Sequence, residues 1–261
     1  MSLLEAIILG IVQGLTEFLP VSSSGHIELA QKLLGADDLK EQEELLSVVL
    51  HAATALSTIF VFKKDISVIL KGLFAKQKAE LMFSLAIIIS MVPAAIIGLK
   101  FDSIIESFFE GDLLLVGSML LVTAVLLFLA DKAKNTNKSV SPTNAFIIGI
   151  AQAIAILPGI SRSGATVSTS VLLGIDRGRA ARFSFLMVVP LILGKMSKDI
   201  VDGKMVLSSE LAMPLGVGFI TSFITGIIAC VWMVKLVKQT KLKWFSLYCL
   251  VVGIISITFS L

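Results

Sequence analysis

Apolar stretches of bilayer-spanning length recur along this chain, and nothing else in the sequence restricts its fold as tightly. A transmembrane helix needs about 20 mostly apolar residues, and within hydrocarbon every backbone polar group has to find its partner inside the protein. Six segments reach or approach that length: Leu45–Phe62, Leu81–Leu99, Leu113–Ala130, Phe183–Met196, Leu211–Val234 and Trp244–Leu261. Phe183–Met196 is the short one; it carries Pro190, and the pattern does not define its ends. Of the 261 residues 56% are hydrophobic and 16% charged, where a soluble domain carries about 25% charged residues. The chain is therefore expected to be an all-α polytopic membrane protein, with residues 1–261 forming a single integral membrane domain.

The net charge of +3 says little by itself, and no basic patch interleaved with aromatics points to nucleic acid. Cys230 and Cys249 lie in apolar segments and read as small buried hydrophobes. The distribution of charge says more. Lys63, Lys64, Lys71, Lys76 and Lys78 follow the first span, Lys132, Lys134 and Lys138 the third. Arg177, Arg179 and Arg182 precede the fourth, and Lys235, Lys238, Lys241 and Lys243 separate the last two. The remaining loops are acidic, with Asp37, Asp38, Glu41, Glu43 and Glu44 in one and Asp102, Glu106, Glu110 and Asp112 in another. The positive-inside rule places the basic loops in the cytoplasm. The three arginines then read most simply as determinants of topology.

Ala6–Leu19 and Ala145–Leu157 are about two-thirds of a span long, and each runs into a proline followed by Ser and Gly. Six crossings alternate without conflict only if these two segments enter and leave on the same side, which makes them re-entrant. They also match each other. Set AIILGIVQGLTEFLPVSSSGH from Ala6 above AFIIGIAQAIAILPGISRSGA from Ala145. Without a gap, Gly10 meets Gly149, Gln13 meets Gln152, Ser22 meets Ser161, Ser24 meets Ser163 and Gly25 meets Gly164. Pro20 and Pro158 slip by one place, and downstream KKDI ending at Ile66 resembles SKDI ending at Ile200. The expectation is an inverted-topology repeat, each copy a re-entrant helical hairpin plus three transmembrane helices, over residues 1–130 and 140–261. An odd number of spans per copy inverts the second relative to the first, so the hairpin tips meet near the midplane, around a polar chamber.

Several side chains there carry chemistry. Gln13 and Glu17 share a helix face, and a lipid-facing Glu would cost several kcal/mol, so both belong to the chamber. Ser22 and Ser23 stand before His26 at helical spacing if a helix restarts after Pro20. Carboxylate, hydroxyl and imidazole together support proton transfer or nucleophilic attack. The second tip, PGISRSGAT, adds the hydroxyls of Ser161, Ser163 and Thr166, a helix N-terminus for an anion, and Arg162, whose planar fork suits phosphate. His51 reads as a polar packing residue. Serines and glycines also serve plain helix packing, and Glu17 could pair with Arg162 for structure alone.

With those residues in view the chain resembles the undecaprenyl-diphosphate phosphatases, the bacitracin-resistance family. Gln13 and Glu17 followed by FLPVSSSGH look like its first signature, PGISRSGAT like its second, and the likeness runs over the whole chain. The resemblance implies a multi-pass enzyme of the bacterial plasma (inner) membrane that hydrolyses undecaprenyl diphosphate to undecaprenyl phosphate and inorganic phosphate. That activity recycles the lipid carrier for cell-wall synthesis and confers bacitracin resistance. It implies Glu17, Ser23, His26 and Arg162 as catalytic residues, and Gln13, Ser22, Ser161, Ser163 and Thr166 as the lining for the diphosphate. It also implies a divalent cation, magnesium or calcium, with Glu17 as the one carboxylate to meet it. The nucleophile stays open between His26, through a phosphohistidine, and Ser23, with His26 as base; the balance tips slightly to His26. The partners expected are the polyprenyl diphosphate and the bilayer, and a homodimer is compatible with the sequence. The tip carrying Glu17 and His26 enters from the acidic side, so the site is expected to open to the extracytoplasmic side. The rival reading is a transporter or lipid flippase, in which Arg162 binds a lipid phosphate in transit.

Overall fold

The computed structural model describes residues 1–35, 43–101, 105, 108, 112–201, 209–239 and 241–260. Each short apolar segment becomes a helix that stops before it can cross. Helix α1 (Leu3–Thr16) is set at its start by a capping box, the Ser2 hydroxyl taking the Glu5 N–H and the Glu5 carboxylate taking the Ser2 N–H. Helix α7 (Pro142–Ile154) starts from the Ser141 cap with proline at its first position, where its missing N–H costs nothing. At about 1.5 Å per residue these helices of 14 and 13 residues reach roughly 20 Å, short of a hydrocarbon core of about 30 Å. After each comes a turn and a second short helix, α2 (Ser23–Leu34) and α8 (Arg162–Leu172).

Between and after the hairpins lie α3 (Glu43–Val61), α4 (Lys63–Phe74), α5 (Lys78–Lys100), α6 (Leu113–Lys132), α9 (Arg177–Val201), α10 (Ser209–Lys238) and α11 (Lys243–Ser260). Helices α5, α6, α9, α10 and α11 are each long and apolar enough to cross a membrane, and α3 and α4 are so only as a pair, bent by 75° at the break between them. Among the described residues the only pairing outside helices is an isolated bridge between Lys138 and Ile175. The protein is all-helical and multi-pass.

Two boundaries differ from the sequence reading. The fourth span is not short: α9 runs over 25 residues, with Pro190 inside it. Its first turns hold the arginines, which the hydropathy pattern had cut away. The first span ends at Val61, and the basic stretch after it is the helix α4 rather than a loop. Asp37, Asp38, Glu41, Asp102, Glu106 and Glu110 lie outside the described residues.

Close backbone approach holds the halves together. A Cβ at Gly10 would sit 2.5 Å from the Gly218 carbonyl oxygen, and one at Gly14 2.6 Å from that of Ser222, so α1 lies flush along α10 in the same direction. At the matching position of the second hairpin, a Cβ at Gly149 would sit 2.5 Å from the Ser90 carbonyl oxygen, fitting α7 against α5. Small residues permit such contact where lipid offers helices no hydrophobic drive to associate. Helices α6 and α11 run antiparallel, joined by Lys243 N–H to Asp131, Ser246 to the Ala124 carbonyl and Ser256 to the Leu113 carbonyl. Phe18, Phe62, Phe183 and Phe185 lie in the main core; Phe18 meets Phe185 edge-on at 5.7 Å and anchors the first tip.

The arginines at the start of α9 tie neighbouring helices together. Arg177 is buried and donates to the carbonyls of Ala130, Asp131 and Ala133, closing the C-terminus of α6. Arg182 pairs with Asp65 of α4 at 2.6 Å and stacks over Phe83. The sequence reading gave these arginines a topological role; the first two contacts add a structural one.

Candidate functional site

The two tips interlock. Ser163 of the second donates to the Leu19 carbonyl of the first at 3.2 Å. Gly159 turns the second tip with φ of +91°, and a Cβ there would press on the Val116 carbonyl oxygen and lie 2.8 Å from Met119 Cβ. Glycine is the residue that permits both. Thr123 of α6 braces the same turn, donating to the Gly159 carbonyl and accepting the Ser161 N–H at 3.0 Å.

Glu17 sits where the tips cross, 6% exposed, and both of its oxygens are engaged. Oε1 accepts from Arg162 Nη2. Oε2 accepts from Ser23 Oγ at 2.9 Å and from Gln13 Nε2 at 3.0 Å. His51 Nε2 lies 3.6 Å from the same oxygen. Arg162 uses only part of its fork, because Nη1 is buried without a hydrogen-bond partner. A buried guanidinium donor left unpaired is costly, so this one is poised for an acceptor that a ligand supplies.

His26 belongs to a neighbouring arrangement. Its Nδ1 is 2.8 Å from the Ser22 carbonyl oxygen, which can only accept, so Nδ1 carries the proton. Nε2 is then an acceptor in the neutral ring and takes the Tyr248 hydroxyl at 2.7 Å, with the rings stacked 5.6 Å apart. His26 is hydrogen-bonded to neither Ser23 nor Glu17, so the sequence expectation of His26 as the base for Ser23 is not realised in this arrangement. The polar lining is used to shape the tips. Ser22 accepts the Gly25 N–H and Ser161 the Gly164 N–H, as N-caps of α2 and α8. Thr166 is fully buried and bonded to the Arg162 carbonyl and to Ser184.

Two participants escaped the sequence reading, His51 as a neighbour of Glu17 and Tyr248 as the partner of His26. Both carried a signal. His51 in SVVLHAATAL and Tyr248 in FSLYCLVV each stand in a mostly apolar stretch, where polar side chains tend to face a functional interior.

An arginine, a carboxylate and a hydroxyl thus meet where two short helical hairpins interlock, and the fold is that of a polytopic membrane protein. The comparisons narrow the class. The profile of the family described as bacitracin resistance protein BacA matches residues 6–255. A relative named undecaprenyl-diphosphatase from Christiangramia forsetii is 59% identical over 100% of this chain and 99% of its own length. Another of that name from Parabacteroides distasonis is 46% identical over 100% and 99%, and one from Bacteroides thetaiotaomicron 45% over 97% of each. The chain belongs to the bacitracin resistance protein BacA family, and it is a membrane-embedded hydrolase.

Proposed function

We propose that the chain hydrolyses undecaprenyl diphosphate to undecaprenyl phosphate and inorganic phosphate, recycling a lipid carrier for cell-wall synthesis and so giving resistance to bacitracin. The observation that carries the reading is the Ser23–Glu17–Arg162 cluster: a hydroxyl bonded to a buried carboxylate at 2.9 Å, beside a guanidinium with a free buried donor. Arg162 binds the distal phosphoryl group. Ser23 Oγ attacks its phosphorus as its proton passes to Glu17 Oε2, the bond to the bridging oxygen breaks, and undecaprenyl phosphate leaves. Water then cleaves the phosphoserine, releasing inorganic phosphate and restoring the hydroxyl. The His26 alternative is less favoured, since Nε2 is occupied by Tyr248. Gln13 steadies Glu17 Oε2, His26 is held beside the first tip by Tyr248, and Ser22, Ser161, Ser163 and Thr166 keep the tip backbones around the diphosphate. A carrier of anionic lipid has no need of a hydroxyl bonded to a carboxylate beside its anion site.

A divalent cation would find few protein ligands at the tips. Glu17 is the one carboxylate of the cluster with both oxygens engaged, and the described residues contain no group of three or more metal-ligating side chains. Magnesium or calcium would therefore be held largely by the diphosphate's own oxygens.

The interleaved contacts support the inverted repeat: the first hairpin lies on α10, the second on α5, and α6 lies on α11. With the arginine-rich end in the cytoplasm of a bacterial plasma membrane, Ser47 and the outer turns of α3 face the extracytoplasmic side and the chamber opens there. An apolar cavity of about 530 Å³ between Leu15, Leu19, Val21, Trp232, Trp244 and Tyr248 suits the prenyl chain. The test is phosphate release from undecaprenyl diphosphate by the purified protein beside Glu17→Gln, with folding checked. Release by the parent and its loss in the folded variant is the expected result; a parent that releases none, with or without divalent cations, overturns the reading. Impermeant thiol labelling of Ser47→Cys in a cysteine-free background tests the orientation, and reaction from the cytoplasmic side alone would refute it.

A further inference from the structure

Beyond Glu17, on the far side of His51, lies a second and smaller cavity of about 100 Å³. Ser47, Val48 and His51 of α3 form one wall, and Ile192, Lys195, Met196 and Asp199 of α9 the other. At about 30 Å³ of liquid volume per water, it has room for a single tetrahedral oxyanion with little else. Its polar groups are an unusual set. Lys195 keeps 64% of its side chain exposed, while Asp199, one turn on, is 2% exposed. The two carboxylate oxygens of Asp199 stand 3.4 and 3.3 Å from Lys195 Nζ, and Oδ2 has no hydrogen bond. The matching aspartate of the first half, Asp65 in KKDI, is instead closed by Arg182 at 2.6 Å. His51 gives Nδ1–H to the Ser47 carbonyl at 2.8 Å and turns Nε2 toward Glu17, so its ring stands between the cavity and the cluster.

We infer that this pocket is a second phosphate subsite, which takes hydrogen phosphate after it leaves the Arg162 clamp. The match is one of donors and acceptors. Hydrogen phosphate carries negative charge for the Lys195 ammonium and one P–OH that can donate to Asp199 Oδ2. That last contact would add a hydrogen bond to a carboxylate oxygen that the Lys195 ammonium meets only as an ion pair at 3.3 Å. The terminal phosphoryl group of a waiting lipid diphosphate shares most of this chemistry but, when fully ionised, lacks the P–OH. The inference rests on the reading of Glu17, Ser23 and Arg162 as a diphosphate-cleaving site.

The probe is inorganic phosphate, titrated into the full-length protein both as inhibitor of hydrolysis and by calorimetry, for the parent, Lys195→Gln and Lys195→Arg. Lys195→Gln takes the cation from the buried Asp199 while Lys195→Arg keeps it, so the thermal transition of each variant is measured alongside and binding is compared only between folded proteins. For released phosphate as the occupant, Lys195→Gln raises the phosphate inhibition constant at least tenfold and leaves the KM for the lipid within twofold, and Lys195→Arg restores most of the loss. A KM that rises in step with the inhibition constant assigns the subsite to the lipid's own phosphoryl group. An inhibition constant and a calorimetric affinity that do not change in Lys195→Gln overturn the subsite. Calorimetry needs no turnover, so a parent that binds phosphate without hydrolysing the lipid would defeat the proposed function and leave the subsite standing.

Discussion

At the first tip Ser22 caps α2 through the Gly25 N–H, and at the second Ser161 caps α8 through the Gly164 N–H. A second serine hydroxyl follows each cap, Ser24 at 3.3 Å and Ser163 at 3.2 Å. Between cap and second serine stand the residues that differ, Ser23 in one tip and Arg162 in the other, and both reach Glu17. Equivalent backbone positions thus supply a hydroxyl from one side and a cation from the other to a single carboxylate. The comparison teaches that the repeated residues maintain the turn and the unrepeated ones meet at Glu17.

The sharpest test of that division is Ser23→Ala, which removes the hydroxyl at the variable position and leaves the cap alone. A drop in kcat of about 10³-fold or more is expected, with little change in KM, because a nucleophile acts on the bond-making step. Radiolabel from a substrate carrying ³²P in the distal phosphate should become trapped on the acid-quenched parent and not on the variant. Label held by Ser23→Ala after an alkaline quench and lost in acid, as a phosphohistidine requires, would move the nucleophile to His26. Opposite it, Arg162→Lys keeps the charge and loses the fork. A single donor lost from a transition-state clamp costs about 10²-fold in kcat. Both variants should retain the parent's thermal transition in detergent, which separates chemistry from folding.

Much of this division is readable in the chain. The gapless match between the hairpins locates both caps, and the unmatched Glu17, Ser23, His26 and Arg162 stand out against it. What the sequence could not supply is pairing across distance. Tyr248 meets His26 across 222 residues, and His51 reaches Glu17 from another helix; no local periodicity encodes such contacts. The arginines of α9 were legible as charge and not as caps, because a helix C-terminus looking for donors appears only once α6 and α9 are side by side. The fourth span looked short for a related reason: hydropathy discards a turn whose arginines are satisfied by carbonyls.

Gly159→Ala tests the turn instead of the chemistry. Its φ of +91° and the pressure of a Cβ on Val116 act together, and a strained backbone of this kind costs about 1–3 kcal/mol before any clash is counted. The expected result is a lower thermal transition, with activity lost through displacement of Arg162. A normal transition with normal activity would show that the second tip tolerates a different turn. The first tip has its own positive φ, at Ser22 with +71°, and there the comparison becomes finer.

Ser22 and Ser161 cap in the same way, yet Ser161 has an ordinary φ of −72°. Removing either cap with alanine should cost about 1 kcal/mol of stability. Glycine separates them: at Ser22 it loses the cap and relieves the positive φ, so the two effects offset, whereas at Ser161 there is no strain to relieve. Thermal transitions of the four variants should therefore place Ser22→Gly nearest the parent. All four should hydrolyse within a few-fold of it, because the cap hydroxyls are bound to backbone N–H groups. A cap variant as inactive as Ser23→Ala would mean that the repeated serines touch the diphosphate after all, and that the repeat carries chemistry as well as shape.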